Sequence, residues 1–258
     1  GVSIACIVGY RWAGMTWFDA VCHGFSTMGL GGFSTHDASF GYFDSPAIEF
    51  VAIVFMFIAG MNFGTLFLAV SGRSLRPYLH DPEAGWFVGI CFISIFFVAI
   101  YIWKDGMYAD LDTAVRHTAF NLMSIATTTG FASVDFAQWP IFAPLWMLFL
   151  SCVTASSGST GGGIKMIRML ILAKQANREL TRLIHPSVVN PVKVGGSAIP
   201  NNVVIAVLGF IFLYFMSVVM LTFVMILSGL DFMTSLGAVV ASINNAGPGL
   251  NKVGPATN

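Results

Sequence analysis

Apolar residues run almost unbroken through positions 50–70, 86–103 and 203–227, and each run is about long enough to cross hydrocarbon as a helix. Asn62 and Thr65 interrupt the first run, while Trp86 and Trp103 bracket the second as interfacial anchors would. A fourth run, 140–152, leads into Ser156, Ser157, Gly158, Ser159, Thr160, Gly161, Gly162 and Gly163 before apolar character resumes over 164–173. So long a stretch of small residues predicts a membrane helix broken in its middle. Positions 1–10 read as the tail of a further helix, too short to span alone, so the chain reads as a fragment.

Between these runs lie 17–33, 114–134 and 232–250, moderately apolar yet too short or too glycine-rich to cross. Each reads as a short helix followed by a glycine-containing turn. Unsatisfied backbone amides in lipid cost several kcal/mol, so such turns survive at membrane depth only when buried in protein or lining water. Three of them, alternating with full spans, predict re-entrant pore loops. The expected fold is therefore all-α and polytopic, with repeated helix, pore loop, helix units around a central pore.

Composition and charge sharpen this picture. Of 258 residues, 56% are hydrophobic and 9% charged, far below the quarter typical of soluble domains. The 12 acidic and 12 basic residues cancel, leaving no basic surface for nucleic acid. Cys6, Cys22, Cys91 and Cys152 stand singly in apolar stretches, as small buried thiols do. Arg73 and Arg76 follow the first run, and Arg168, Lys174, Arg178, Arg182 and Lys193 follow the broken helix, which predicts that both connections are cytoplasmic. The opposite connections carry Asp37, Asp44, Asp105, Asp110, Asp112 and Asp135, and all three pore loops fall on this acidic side. Carboxylates at a pore mouth raise the local cation concentration, although singly they are ordinary solvated loop residues.

Aligned on one glycine, the loops read Ser26-Thr27-Met28-Gly29-Leu30-Gly31, Thr127-Thr128-Thr129-Gly130-Phe131-Ala132 and Asn244-Asn245-Ala246-Gly247-Pro248-Gly249. A hydrogen-bonding residue stands two places before each glycine, and the glycines recur roughly every 100 to 120 residues, as in a large internal repeat. Dehydrating potassium requires successive backbone carbonyls aimed at one axis, and glycine permits the dihedrals this needs. A short helix upstream aims its partially negative carbonyl end at the cation. The candidate potassium filter is thus Thr27, Met28, Gly29 and Leu30; Thr128, Thr129, Gly130 and Phe131; and Asn245, Ala246, Gly247 and Pro248.

Two longer stretches complete the pattern: His23-Gly24-Phe25-Ser26-Thr27-Met28-Gly29-Leu30-Gly31-Gly32-Phe33-Ser34 and Ser157-Gly158-Ser159-Thr160-Gly161-Gly162-Gly163-Ile164-Lys165. With the loops above, they make the chain resemble the membrane subunit of bacterial Trk potassium uptake systems, in the superfamily with the Ktr and plant HKT transporters. The resemblance covers essentially the whole chain. It implies three segments: 1–80, a second repeat with its first helix clipped; 81–195, a third repeat with a broken second helix and a cytoplasmic loop; and 196–258, the first helix and pore loop of a fourth. It further implies that Ser157, Gly158, Ser159, Thr160, Gly161, Gly162 and Gly163 form an intramembrane gating loop beneath the filter. Potassium would be the transported ion, with no cofactor in this chain. The partners implied are the lipid bilayer, a second copy in a homodimer, and a cytosolic nucleotide-binding regulatory subunit at the bacterial inner membrane.

Rival readings stay open here. Gly158 and Gly163 have the spacing of a phosphate-binding loop, but Ile164 displaces Lys165 and no strand precedes it. Broken helices also occur in secondary transporters for other cations or solutes, usually at mid-membrane in inverted halves. An intramembrane hydrolase would need convergent His, Asp and Ser residues, which His23 and His117 lack in register. Those histidines read as satisfied pore-helix residues, Lys165 and Arg168 as snorkelling anchors, Asn62 as an interhelical hydrogen-bonder, and Glu49 as a water-reaching end residue.

Overall fold

The computed structural model describes residues 1–188 and 190–255; position 189 and positions 256–258, within the second and third expected segments, lie outside the described residues. The chain is an all-α bundle of long apolar helices interleaved with short ones. Helix α1 (Val2–Trp12) is followed by α2 (Trp17–Gly29), α3 (Pro46–Gly60), α4 (Phe63–Ser71) and the short α5 (Arg76–His80). Next come α6 (Ala84–Lys104), α7 (Leu111–Ala126), α8 (Phe142–Val153) and α9 (Met166–Ile184). A small hairpin pairs β1 (Lys193–Val194) with β2 (Ser197–Ala198), and α10 (Asn201–Leu227) and α11 (Phe232–Asn244) close the chain.

Helices α6 and α10, of 21 and 27 residues, are long and apolar enough to cross a bilayer. Their outward faces, with Phe92, Phe96 and Phe97 on α6 and Phe212, Phe215 and Phe223 on α10, are exposed, as a lipid solvent demands. The interior is held by recurring neighbour relations. Helix α2 packs on α1 and α3, α7 on α6 and α8, and α11 on α10. Each outgoing helix also leans on the next short helix, α3 on α7 and α8 on α11. An aromatic nest of Phe40, Phe120, Phe131 and His23, with Phe40 and Phe131 centroids 4.5 Å apart, ties the first set to the second.

Three expectations need correction. The run 50–70 is not one continuous helix: α3 stops at Gly60, Met61 takes extended backbone, and α4 leaves at 102°. The backbone groups freed by this break find partners in the glycine-rich loop, since Ser156 N donates to Gly60 O and Phe63 N to Gly158 O, each at 3.1 Å. Asn62 does not bond across helices; its side-chain oxygen caps α4 by accepting from Gly64 N and Thr65 N. Glu49 does not reach water. It is buried and grips Arg116 of α7 through Nε at 2.9 Å and a terminal nitrogen at 2.7 Å.

Candidate functional site: three converging pore loops

The short helices α2, α7 and α11 begin alike. Thr16 accepts from Asp19 N, Asp110 from Thr113 N, and Asp231 from Thr234 N, each an N-cap serving the third helical residue. The sequence reading missed these caps, which mark where each short helix starts; a Thr or Asp three residues before the capped amide is the signal that could have found them.

They also end alike. Leu30, Thr128 and Asn245 take left-handed backbone, with φ of 50°, 61° and 56°. The next amide then reaches back five residues: Gly31 N to Ser26 O at 2.9 Å, Thr129 N to Ser124 O and Ala246 N to Ala241 O, both at 2.8 Å. One residue further on stand Gly32, Gly130 and Gly247, with φ of 71°, 93° and 86°. Gly32 and Gly247 both approach Gly130. A Cβ on Gly32 would lie 2.2 Å from Thr129 O, one on Gly130 would lie 2.5 Å from Ala246 O, and one on Gly247 would lie 3.5 Å from the Gly130 Cα.

This geometry corrects the first loop by three residues. Thr27, Met28 and Gly29 are still helical, and a Cβ on Gly29 would face open space. Thr27 turns its hydroxyl to Tyr10 at 2.6 Å rather than to the centre. The backbone counterparts of Thr128, Thr129, Gly130 and Phe131, and of Asn245, Ala246, Gly247 and Pro248, are therefore Leu30, Gly31, Gly32 and Phe33. A cavity of about 520 Å³ opens among Gly32, Phe33, Gly130, Gly247 and Pro248, with His36 and Asp37 at its wall.

Side chains pin the segments that follow the glycines. His23 binds Asp19 O through Nδ1 and Ser34 Oγ through Nε2, both at 2.9 Å. Asn121 holds Ser133 in the second loop, donating to its hydroxyl at 2.9 Å and accepting from its amide at 3.1 Å. Ser124 donates to Phe131 O at 2.7 Å. At the inner end of α11, Asn244 accepts from the Tyr214 hydroxyl at 2.7 Å and donates to Ser151 Oγ at 3.1 Å.

The glycine-rich stretch between α8 and α9 touches all three pore-helix ends. Thr160 Oγ1 donates to Met28 O at 3.3 Å, and Gly162 N donates to Thr128 Oγ1 at 2.8 Å. A Cβ on Gly161 would lie 2.9 Å from Thr127 O, and one on Gly162 would lie 1.9 Å from Asn244 O, so only glycine fits at Gly162. Gly163, at φ 80°, turns the chain back against the Ser151 and Cys152 carbonyls. Within the loop, Ser159 Oγ donates to Ser156 O, and Gly158 packs on Asn62. Lys165 does not snorkel. Its ammonium folds back on the loop, donating to Gly161 O at 2.5 Å and Ser159 O at 3.2 Å. Arg168 lies over the Phe210 ring at 4.0 Å, a cation–π contact.

Capped short helices that stop within the bundle and present glycine turns to one another, flanked by spanning helices, define a membrane protein of the pore-loop class. The TrkH family, described as cation transport protein, matches residues 1–257. The Trk system potassium uptake proteins TrkH of Escherichia coli K12 and Vibrio parahaemolyticus are 41% and 44% identical over 252 and 254 residues, 98% of this chain and 52% of each relative. A crystal structure of the potassium transporter TrkH from Vibrio parahaemolyticus superposes with a TM-score of 0.93 at 44% identity, covering 98% of this chain and 54% of that one. The chain belongs to the TrkH family of cation transport proteins. It spans about half the length of the curated relatives it matches.

Proposed function

We propose that this chain supplies three of the four pore loops of a potassium transporter in the bacterial inner membrane, rather than part of an enzyme. The observation that carries the reading is the shared backbone register of the three loops, whose positive-φ glycines Gly32 and Gly247 both approach Gly130. The filter residues are then Leu30, Gly31, Gly32 and Phe33 with Thr128, Thr129, Gly130, Phe131, Asn245, Ala246, Gly247 and Pro248. Their carbonyls replace the water of a dehydrated potassium ion, and the partially negative ends of α2, α7 and α11 lower its energy there.

On this reading 1–80, 81–195 and 196–258 are the second, third and fourth repeats, and potassium is cargo rather than a resident cofactor. The stretch from Ser157 to Gly163 is the gate, because it occupies the space directly under the three helix ends. Pairing into homodimers and docking of a cytosolic nucleotide-binding regulator are proposed from the family resemblance. The relatives' names support potassium as the ion.

The test is potassium, rubidium and sodium flux through the full-length protein in liposomes, with and without Gly130→Ser. A serine there has no room beside Ala246 O, so preference for potassium over sodium should fall. Selectivity that survives the substitution in a folded protein would remove Gly130 from the filter.

A further inference from the structure

Glu83 is a buried carboxylate one residue before α6, outside the pore loops and the glycine-rich stretch. Its Oε2 accepts two backbone hydrogen bonds, from Ser157 N at 2.8 Å and from Ile167 N at 3.1 Å. Ser157 opens the glycine-rich stretch, and Ile167 is the second residue of α9, just past its end. One oxygen atom therefore joins the two ends of the loop that lies under the pore helices.

The backbone of Glu83 is itself held from the far side. Glu83 N donates to Asp81 Oδ1 at 2.9 Å, and Asp81 Oδ2 accepts from Thr65 of α4 at 2.7 Å. Charge-assisted bonds of this kind are roughly twice as strong as neutral ones, and the amino end of α9 adds its partial positive charge. Within the loop the Lys165 ammonium holds Gly161 O and Ser159 O, and backbone bonds from Ser156 N to Gly60 O and from Met166 N to Ala155 O fix its ends alongside Glu83. The loop's contacts with the pore helices are neutral bonds from Thr160 and Gly162. The seat beneath the filter is thus made of neutral contacts, while one buried carboxyl oxygen away from that seat joins the loop's two ends.

We infer that Glu83 is a positioning residue for the gate: its carboxylate clasps both ends of the glycine-rich loop and keeps it seated under the pore-helix ends. This rests on the reading of that loop as the gate. Opening requires the loop to leave Asn244 O and Thr128 Oγ1, and with its ends clasped the span between Ser157 and Ile167 has little slack to do so. Loss of the clasp frees the span and raises flux without touching any filter atom.

The experiment compares rubidium flux through the full-length transporter, reconstituted without any regulatory partner, for wild type, Glu83→Ala, Glu83→Gln and Gly162→Ala. Gly162→Ala forces the loop off Asn244 O and so reports on the gate itself. Glu83→Ala should raise unstimulated flux by about tenfold or more, since it removes both backbone hydrogen bonds made by the carboxyl group. Glu83→Gln, which keeps a neutral acceptor, should raise it less, and potassium over sodium preference should be unchanged in both. Raised flux in Gly162→Ala with wild-type flux in Glu83→Ala would overturn the clasp and leave the gate standing. Wild-type flux in both would overturn the gate and the clasp with it. Alkylation of a Ser159→Cys reporter by an impermeant maleimide covers the case in which Glu83→Ala fails to fold. The reporter should react faster in the Glu83→Gln background than in wild type, and equal rates would overturn the clasp.

Discussion

Gly32 and Thr129 meet backbone to backbone, so closely that a Cβ on Gly32 would lie 2.2 Å from the Thr129 carbonyl oxygen. The two residues belong to pore loops almost a hundred positions apart, and no side chain can intervene between them. Gly32→Ala should therefore push the first loop away from the second and cut potassium over sodium preference by about tenfold, in line with overpacking costs of roughly 1–3 kcal/mol. Gly29→Ala should leave it unchanged, since that position is helical and faces open space. Cation flux through the full-length protein reads both, and the opposite ranking would restore Gly29 to the filter.

The Glu49–Arg116 pair joins α3 to α7 across 67 residues of sequence. Glu49 is almost fully buried, so Arg116→Ala strands a carboxylate and should cost about 3–5 kcal/mol of stability. Asp44, the guanidinium's other partner, is 80% exposed, and Asp44→Ala should cost no more than about 1 kcal/mol. Unfolding midpoints in detergent for both variants would sink this account if Asp44→Ala proved the more damaging.

Tyr214 supplies the hydroxyl that satisfies Asn244 at the last turn of α11. Tyr214→Phe leaves the buried Asn244 oxygen without that donor, at roughly 1–3 kcal/mol. The loss sits beside Gly162, so loop mobility should rise with the instability. Hydrogen exchange over 157–163, slower than wild type or unaltered, would contradict the prediction.

Asp231 caps α11, and the Thr234 hydroxyl, the Thr234 amide and Asn251 hold its carboxyl at about 2, below its ordinary value of 3.8. A group lowered on folding stabilises the folded chain above its unfolded pKa, and the benefit fades as pH falls through the folded one. The capping contribution should be complete near neutral pH and disappear between about pH 4 and pH 2. Asp231→Asn keeps an acceptor but cannot titrate, so its unfolding midpoint should lose that part of the pH dependence. An identical acid profile for wild type and Asp231→Asn would exclude the cap as its source.

The apolar runs at α6 and α10 determined two spans by themselves, because a long stretch without charge has no other solvent than lipid or core. The interruption from Ser156 to Gly163 likewise told of a broken helix, since small residues there cannot continue an apolar stripe. The three short helices were legible from their glycine turns, whereas their caps at Thr16, Asp110 and Asp231 were seen only in the structure. Only the tertiary structure decided the register of the first loop. Thr27-Met28-Gly29 matches Thr128-Thr129-Gly130 letter for letter at two of three positions, yet α2 runs on through Gly29, with 13 helical residues between cap and left-handed turn in both α2 and α11. It also decided the bend at Met61, the fate of Glu49 and the clasp at Glu83. In each of these the deciding partner lies far along the chain: the loop at Ser156 and Gly158 for the bend, Arg116 for Glu49, and Ser157 with Ile167 for Glu83. Local pattern reports what solvent a segment needs, whereas hydrogen-bond partners for a broken helix or a buried charge come from whatever folding brings beside it.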